Sequence, residues 1–134
     1  MFQKLLLLII ILFLASISSA STGDKVFFIS PKDGATVSQA LQLKFGEKGL
    51  NVVPAGKDID NKKDGHFHVL IDEDFVPEGK IIPTDGTHIH YGKAQKSGEI
   101  IIAPGPHKLT LQFADGAHRS YGKNLSQTIN VIVE

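Results

Sequence analysis

The sequence predicts an all-β chain, an antiparallel immunoglobulin-like β-sandwich of about seven short strands. Three observations predict it. Beyond Ala20 the apolar residues alternate with period two, and no stretch keeps the 3.6-residue period of an amphipathic helix. The apolar runs are short, and 13 glycines and 6 prolines punctuate the chain. Short strands separated by turn residues, with no helices between them, suit two packed antiparallel sheets rather than an α/β fold.

The N-terminus stands apart from this pattern. Lys4 precedes an unbroken apolar run from Leu5 to Ala15, and "SISSA" follows, with Ser18 and Ala20 as small residues at its cleavage positions. A positive residue, an apolar run and a small-residue end make a secretory signal peptide. The run is shorter than the ~20 residues a membrane-spanning helix needs. Residues 1–20 are therefore expected to be cleaved. Residues 21–134 are expected to be exported as one sandwich domain, periplasmic or extracellular, with no stable membrane anchor left.

The expected strands follow in order. "KVFFIS" (25–30) stops at Pro31 and the turn "PKDG". "LQLKF" (41–45) sets Leu41, Leu43 and Phe45 on one face. "HFHVLID" (66–72), "THIHY" (87–91) and "EIIIA" (99–103) come next. "HKLTLQFAD" (107–115) turns Leu109, Leu111 and Phe113 inward and Gln112 toward solvent. "LSQTINVIV" (125–133) aligns Leu125, Ile129, Val131 and Val133. The stretch 46–65 has no strand pattern and reads as a long irregular segment, solvated over its charged part at 57–64.

Composition removes several function classes. Lys and Arg total 14 against 14 Asp and Glu, so there is no electrostatic footprint for nucleic acid or an anionic membrane. There is no cysteine, and the single Met is the initiator. No disulfide, thiolate or thioether is available, so metal chemistry would rest on imidazole and carboxylate, and a Cu(I) site is disfavoured. No nucleophile, base and oxyanion loop come together in the sequence, so the chain reads as a non-enzyme. Nothing names a partner.

The histidines carry the strongest local signal. Five of the six lie at or just after an Asp-Gly pair, in "DGHFHVLID", "DGTHIHYGK" and "DGAHRSYGK". Asp-Gly makes turns, because Gly takes positive φ freely and Asp bonds its own backbone. In each His-x-His pair the two rings share one strand face, with Cα atoms about 6.5–7 Å apart. Two such pairs can converge on one ion at about 2.0–2.1 Å per bond. His66, His68, His88 and His90 are thus the expected ligands of one divalent ion, Cu(II) or Zn(II). Asp72, Asp85 and His107 are the expected outer partners orienting those rings. His107, just after "PGP", can instead anchor a strand start to backbone. His118 is expected to be solvated in its loop, or at most to support the site from outside.

Two other readings stay open. In one, the domain is a structural or adhesive recognition module without metal, its histidines pinning loops. In the other it is a cupin-like metalloenzyme, with His66, His68 and Glu73, then Gly79, and His107 as last ligand.

Taken together, "VFFISPKDGATV", "PAG", "GHFHVLID", "IPTDGTHIHYG" and "PGPHKLTLQFADGAH" resemble the secreted bacterial and archaeal family known as domain of unknown function 4399. The resemblance runs from about Val26 to Val133. It implies an exported immunoglobulin-like domain whose histidines are the family signature, and it implies no activity. Family members often carry a third histidine where this chain has Phe67, whose parity points away from His66 and His68.

Overall fold

The computed structural model describes residues 23–134, so the expected signal peptide lies outside the described residues. Nine strands form: β1 (Lys25–Ser30), β2 (Thr36–Val37), β3 (Ala40–Lys48), β4 (Asn51–Val52), β5 (Asp64–Ile71), β6 (His88–Tyr91), β7 (Ser97–Ile101), β8 (Gly105–Ala114) and β9 (Ser126–Val133). Seven of them have four residues or more, and these are the seven expected from the sequence. The two-residue strands β2 and β4 are too short to leave a periodic signal. Among the described residues the one helical element is a 3-10 turn at Lys123–Leu125, which takes Leu125 out of the last strand.

The strands make two sheets. One has the order β1-β3-β7, the other β2-β9-β8-β5-β4, with β6 also paired to β5. Apart from the parallel pairings of β2 with β9 and β4 with β5, the ladders are antiparallel. The core lies between the sheets. Leu41, Leu43 and Phe45 from β3 meet Phe67, Val69, Leu109, Leu111, Phe113, Ile129, Val131 and Val133 from the larger sheet. Among the described residues no helix is long and apolar enough to cross a membrane.

The outer face of the larger sheet departs from expectation. All eight residues of β5 are buried, so both its faces are covered. Phe67, Val69 and Ile71 enter the main core, while Leu70 packs with Ile82, Ala114 and Val76 in a small second cluster. The chain after β5 and the turn after β8 fold back over this face. Gln112 is therefore not solvent-facing. It is fully buried, its Nε2 donating to the carbonyls of Gly122 (3.0 Å) and Leu125 (3.2 Å) and its Oε1 accepting from Val76 N–H (3.0 Å).

The stretch 46–65 is also more ordered than its pattern suggests. It finishes β3, supplies β4, and opens β5 at Asp64. Residues 57–63 are exposed as expected, but Asp64 is buried and accepts a bond from Asn51 Nδ2 at 2.8 Å. Between them, Ala55 N–H donates to Gly92 O (2.9 Å) and Gly56 N–H to Gly116 O (2.8 Å). This "PAG" strap ties together two loops that each follow or precede a histidine.

Candidate metal centre

His66 and His68 stand on β5, the strand flanked by β8 on one edge and β6 on the other. Register places His90 directly opposite His68 in the β5–β6 ladder. Residues opposite each other in an antiparallel pair share a face, so the three rings project to the same side. His118 arrives from the turn after β8. Asp115 builds that turn: its Oδ1 accepts from the Ala117 and Arg119 N–H groups (both 2.9 Å), its Oδ2 from Arg119 Nε (2.7 Å), and its carbonyl from His118 N–H (2.9 Å). Ile82 N–H then bonds His118 O at 2.9 Å. His118 takes φ 62°, a left-handed conformation that turns its ring back over the sheet.

The four rings meet at His66. Its Nε2 lies 3.0 Å from His68 Nε2, 3.2 Å from His90 Nε2 and 3.2 Å from His118 Nδ1. One ligand atom from each of the four lies within 4.8 Å of all the others, a group that can hold a metal ion. His66 and His68 form a floor with 0% exposure, and His90 and His118 a half-buried rim. Nδ1 of both floor rings is buried without a hydrogen-bond partner.

Burial sets the charge state. Desolvation, then repulsion from His90 and His118, holds His66 down at about 4, against a partial opposing pull from Asp115. Desolvation, then the neighbouring rings, holds His68 down at about 2. His90 is lowered as well, by burial first and then by His118. The floor is thus neutral imidazole at ordinary pH, the form that ligates metal.

Two glycines make room for the cluster. A Cβ at Gly92 would lie 2.2 Å from the His90 ring, and one at Gly116 would lie 2.4 Å from the Lys57 carbonyl oxygen just after the strap.

Three of the four expected ligands come together, and the fourth position is filled by His118 instead of His88. Opposite Leu70 in the ladder, His88 lies where the covered face turns apolar. Its ring turns to the carboxylates at the edge, Nδ1 to Asp85 (2.8 Å) and Nε2 to Glu73 (2.5 Å). The expected outer partners do not touch the four rings. Asp85 serves His88 and the Thr87 N–H, which hold its carboxyl down at about 2. Asp72 accepts from His107 Nδ1 (2.8 Å) and Lys108 N–H (3.0 Å). Burial alone would raise the Asp72 carboxyl, but these bonds outweigh it and its pKa is lowered. His107 also donates from Nε2 to Ala103 O at 2.8 Å, so it anchors the start of β8. With Glu73 on His88 and His107 on Asp72, the cupin-like ligand set is not assembled. His118, and Asp115 that builds its turn, complete the cluster from outside the expected ligand set. Their signal is the third Asp-Gly stretch with a histidine, "DGAHRSYGK", which repeats the Asp-Gly-x-His spacing of "DGTHIHYGK".

No curated protein matches the chain. Among solved structures it is similar to an endo-β-1,4-mannanase from Thermotoga petrophila, at 20% identity and TM-score 0.47, over 88% of this chain and 21% of that one. The chain therefore spans about a fifth of the length of that structure. A family model described as Domain of unknown function (DUF4399) matches residues 43–134, from within β3 through β9 to the C-terminus. That match covers all four clustered histidines and more than half of the sequence, and the chain belongs to the DUF4399 family.

Proposed function

We propose that the protein is an exported, non-enzymatic binding module that holds one divalent ion, Zn(II) or Cu(II), through His66, His68, His90 and His118. The observation that carries this reading is the crowding at His66 Nε2. A neutral ring nitrogen either donates one proton or accepts through one lone pair. Three imidazole nitrogens at 3.0–3.2 Å exceed that capacity. One cation among four lone pairs resolves the conflict. Four ligands at about 2.0–2.1 Å in a tetrahedron stand roughly 3.4 Å apart, close to the spacings around His66. Imidazole suits both Zn(II) and Cu(II). Four protein ligands leave no open position for catalysis. Export rests on Lys4, the Leu5–Ala15 run and the small residues before Ser21.

Metal-free protein without a histidine tag, titrated with either ion near pH 7.5, tests the site. Uptake should stop at one equivalent. At one hundred times Kd, binding to the folded state adds about 2.7 kcal/mol, a melting shift on the order of 10 °C. His68→Ala and His118→Asn should each remove most of the shift, Asn being chosen because it tolerates positive φ. His88→Ala should keep most of it. If neither ion moves the melting curve, the histidines are pins for the loops rather than ligands.

A further inference from the structure

We infer that the ion in this centre is exchangeable: the protein carries it and yields it to an incoming ligand, with His118 as the ligand that leaves. This rests on the four-histidine reading and adds what the site is for.

Three observations converge. The centre sits on the outer face of the larger sheet, whereas the core of Phe28, Phe45, Phe67 and Phe113 closes between the sheets without it. The apolar core is complete without the ion. Second, a ring that ligates through Nε2 keeps its proton on Nδ1, and at His66 and His68 that nitrogen is buried with no acceptor. Firmly held ions have those N–H groups on carboxylates or carbonyls, and losing such partners weakens metal affinity 10–100-fold. The one carboxylate that acts on His66, Asp115, is spent on its own turn, accepting from the Ala117 and Arg119 N–H groups and from Arg119 Nε. Third, the ligands are unequal. His66 and His68 are fully buried on a strand paired along both edges, while His118 is half-buried on a turn and offers Nδ1. An incoming donor reaches the ion from the rim. As its bond to the ion forms, the ion–Nδ1 bond of His118 breaks, and the ion keeps its oxidation state.

Stopped-flow transfer of Zn(II) from the loaded, tag-free protein to the chromogenic chelator pyridylazoresorcinol tests it. The transfer rate should rise in proportion to chelator concentration. The metal-free product should keep the near-ultraviolet circular dichroism of folded protein. His118→Asn, loaded to the same stoichiometry, should transfer about tenfold faster or more, as expected for a lost ligand interaction. If that variant does not load, the concentration dependence of the unsubstituted protein decides. A rate independent of chelator and equal to the global unfolding rate overturns exchange while leaving the binding site intact. So does a product that unfolds on losing the ion. No Zn(II) uptake in the initial loading overturns the site itself, and this inference with it.

Discussion

His66 receives three imidazole nitrogens because three different elements aim at it: its own strand through His68, the edge strand through His90, and the Asp115 turn through His118. The energetic consequence is a pH dependence. In the unfolded chain these rings take protons near pH 6.5, but in the fold His66 and His68 stay neutral down to about 4 and about 2. Between those limits the unfolded state binds more protons than the folded one. The stability of metal-free protein is therefore whole above about pH 6.5 and is lost as pH falls below it. The slope is about 1.4 kcal/mol per pH unit for each fully shifted group. Melting curves between about pH 7.5 and 4.5 should show this decline, and His68→Ala should flatten it. A pH-independent melting temperature would contradict the burial of neutral rings. Gly92 gives a second prediction at this scale. No positive φ demands glycine there, only the His90 ring that covers it. Gly92→Ala should displace the ring and weaken metal binding about tenfold, or 1.4 kcal/mol, measured by calorimetric titration. Unchanged affinity would mean that His90 is not a ligand.

At the scale of the element, β8 separates a correct parity from a wrong environment. Leu109, Leu111 and Phe113 do face the main core. The opposite parity, Thr110 and Gln112, is not wet but fully buried beneath the returning chain. Leu111→Ala should cost roughly 2–5 kcal/mol through lost burial and a residual cavity. Gln112→Ala should cost about 1–3 kcal/mol, because Val76 N–H loses its acceptor and the Gly122 and Leu125 carbonyls lose a donor. Denaturant unfolding measures both. A cost near zero at Gln112 would mean that this face is open to solvent. β5 shows the same doubling: its odd residues fill the sandwich, and its even residues supply two of the clustered histidines and then Leu70.

At the scale of the molecule, one sheet surface does two jobs. Its inner side closes the apolar sandwich, and its outer side, roofed by the "PAG" strap and the Asp115 turn, holds the histidines. The whole-chain prediction concerns export. The exported protein should begin at Ser21, which an intact-mass measurement reads directly. A mass that includes residues 1–20 would identify that segment as a retained anchor.

Period-two alternation by itself determined the all-β class, the seven longer strands and the inward set on β3, β8 and β9, because side-chain parity in a strand is a local property. It also placed His66, His68 and His90, each carried by a strand whose faces the pattern names. Which fourth histidine joins them was decided only by the tertiary structure. His88 shares the parity of His90 but lies one pair further along, over an apolar patch made by Leu70, Ile82, Ala114 and Val76, residues far apart in sequence. His118 belongs to no strand, and its position depends on a left-handed turn and on the register that sets β8 beside β5. Parity reaches only as far as a strand extends. The roof over the outer face, and with it the burial of Gln112 and the choice of His118, comes from loops whose positions are set by long-range hydrogen bonds that leave no period in the sequence.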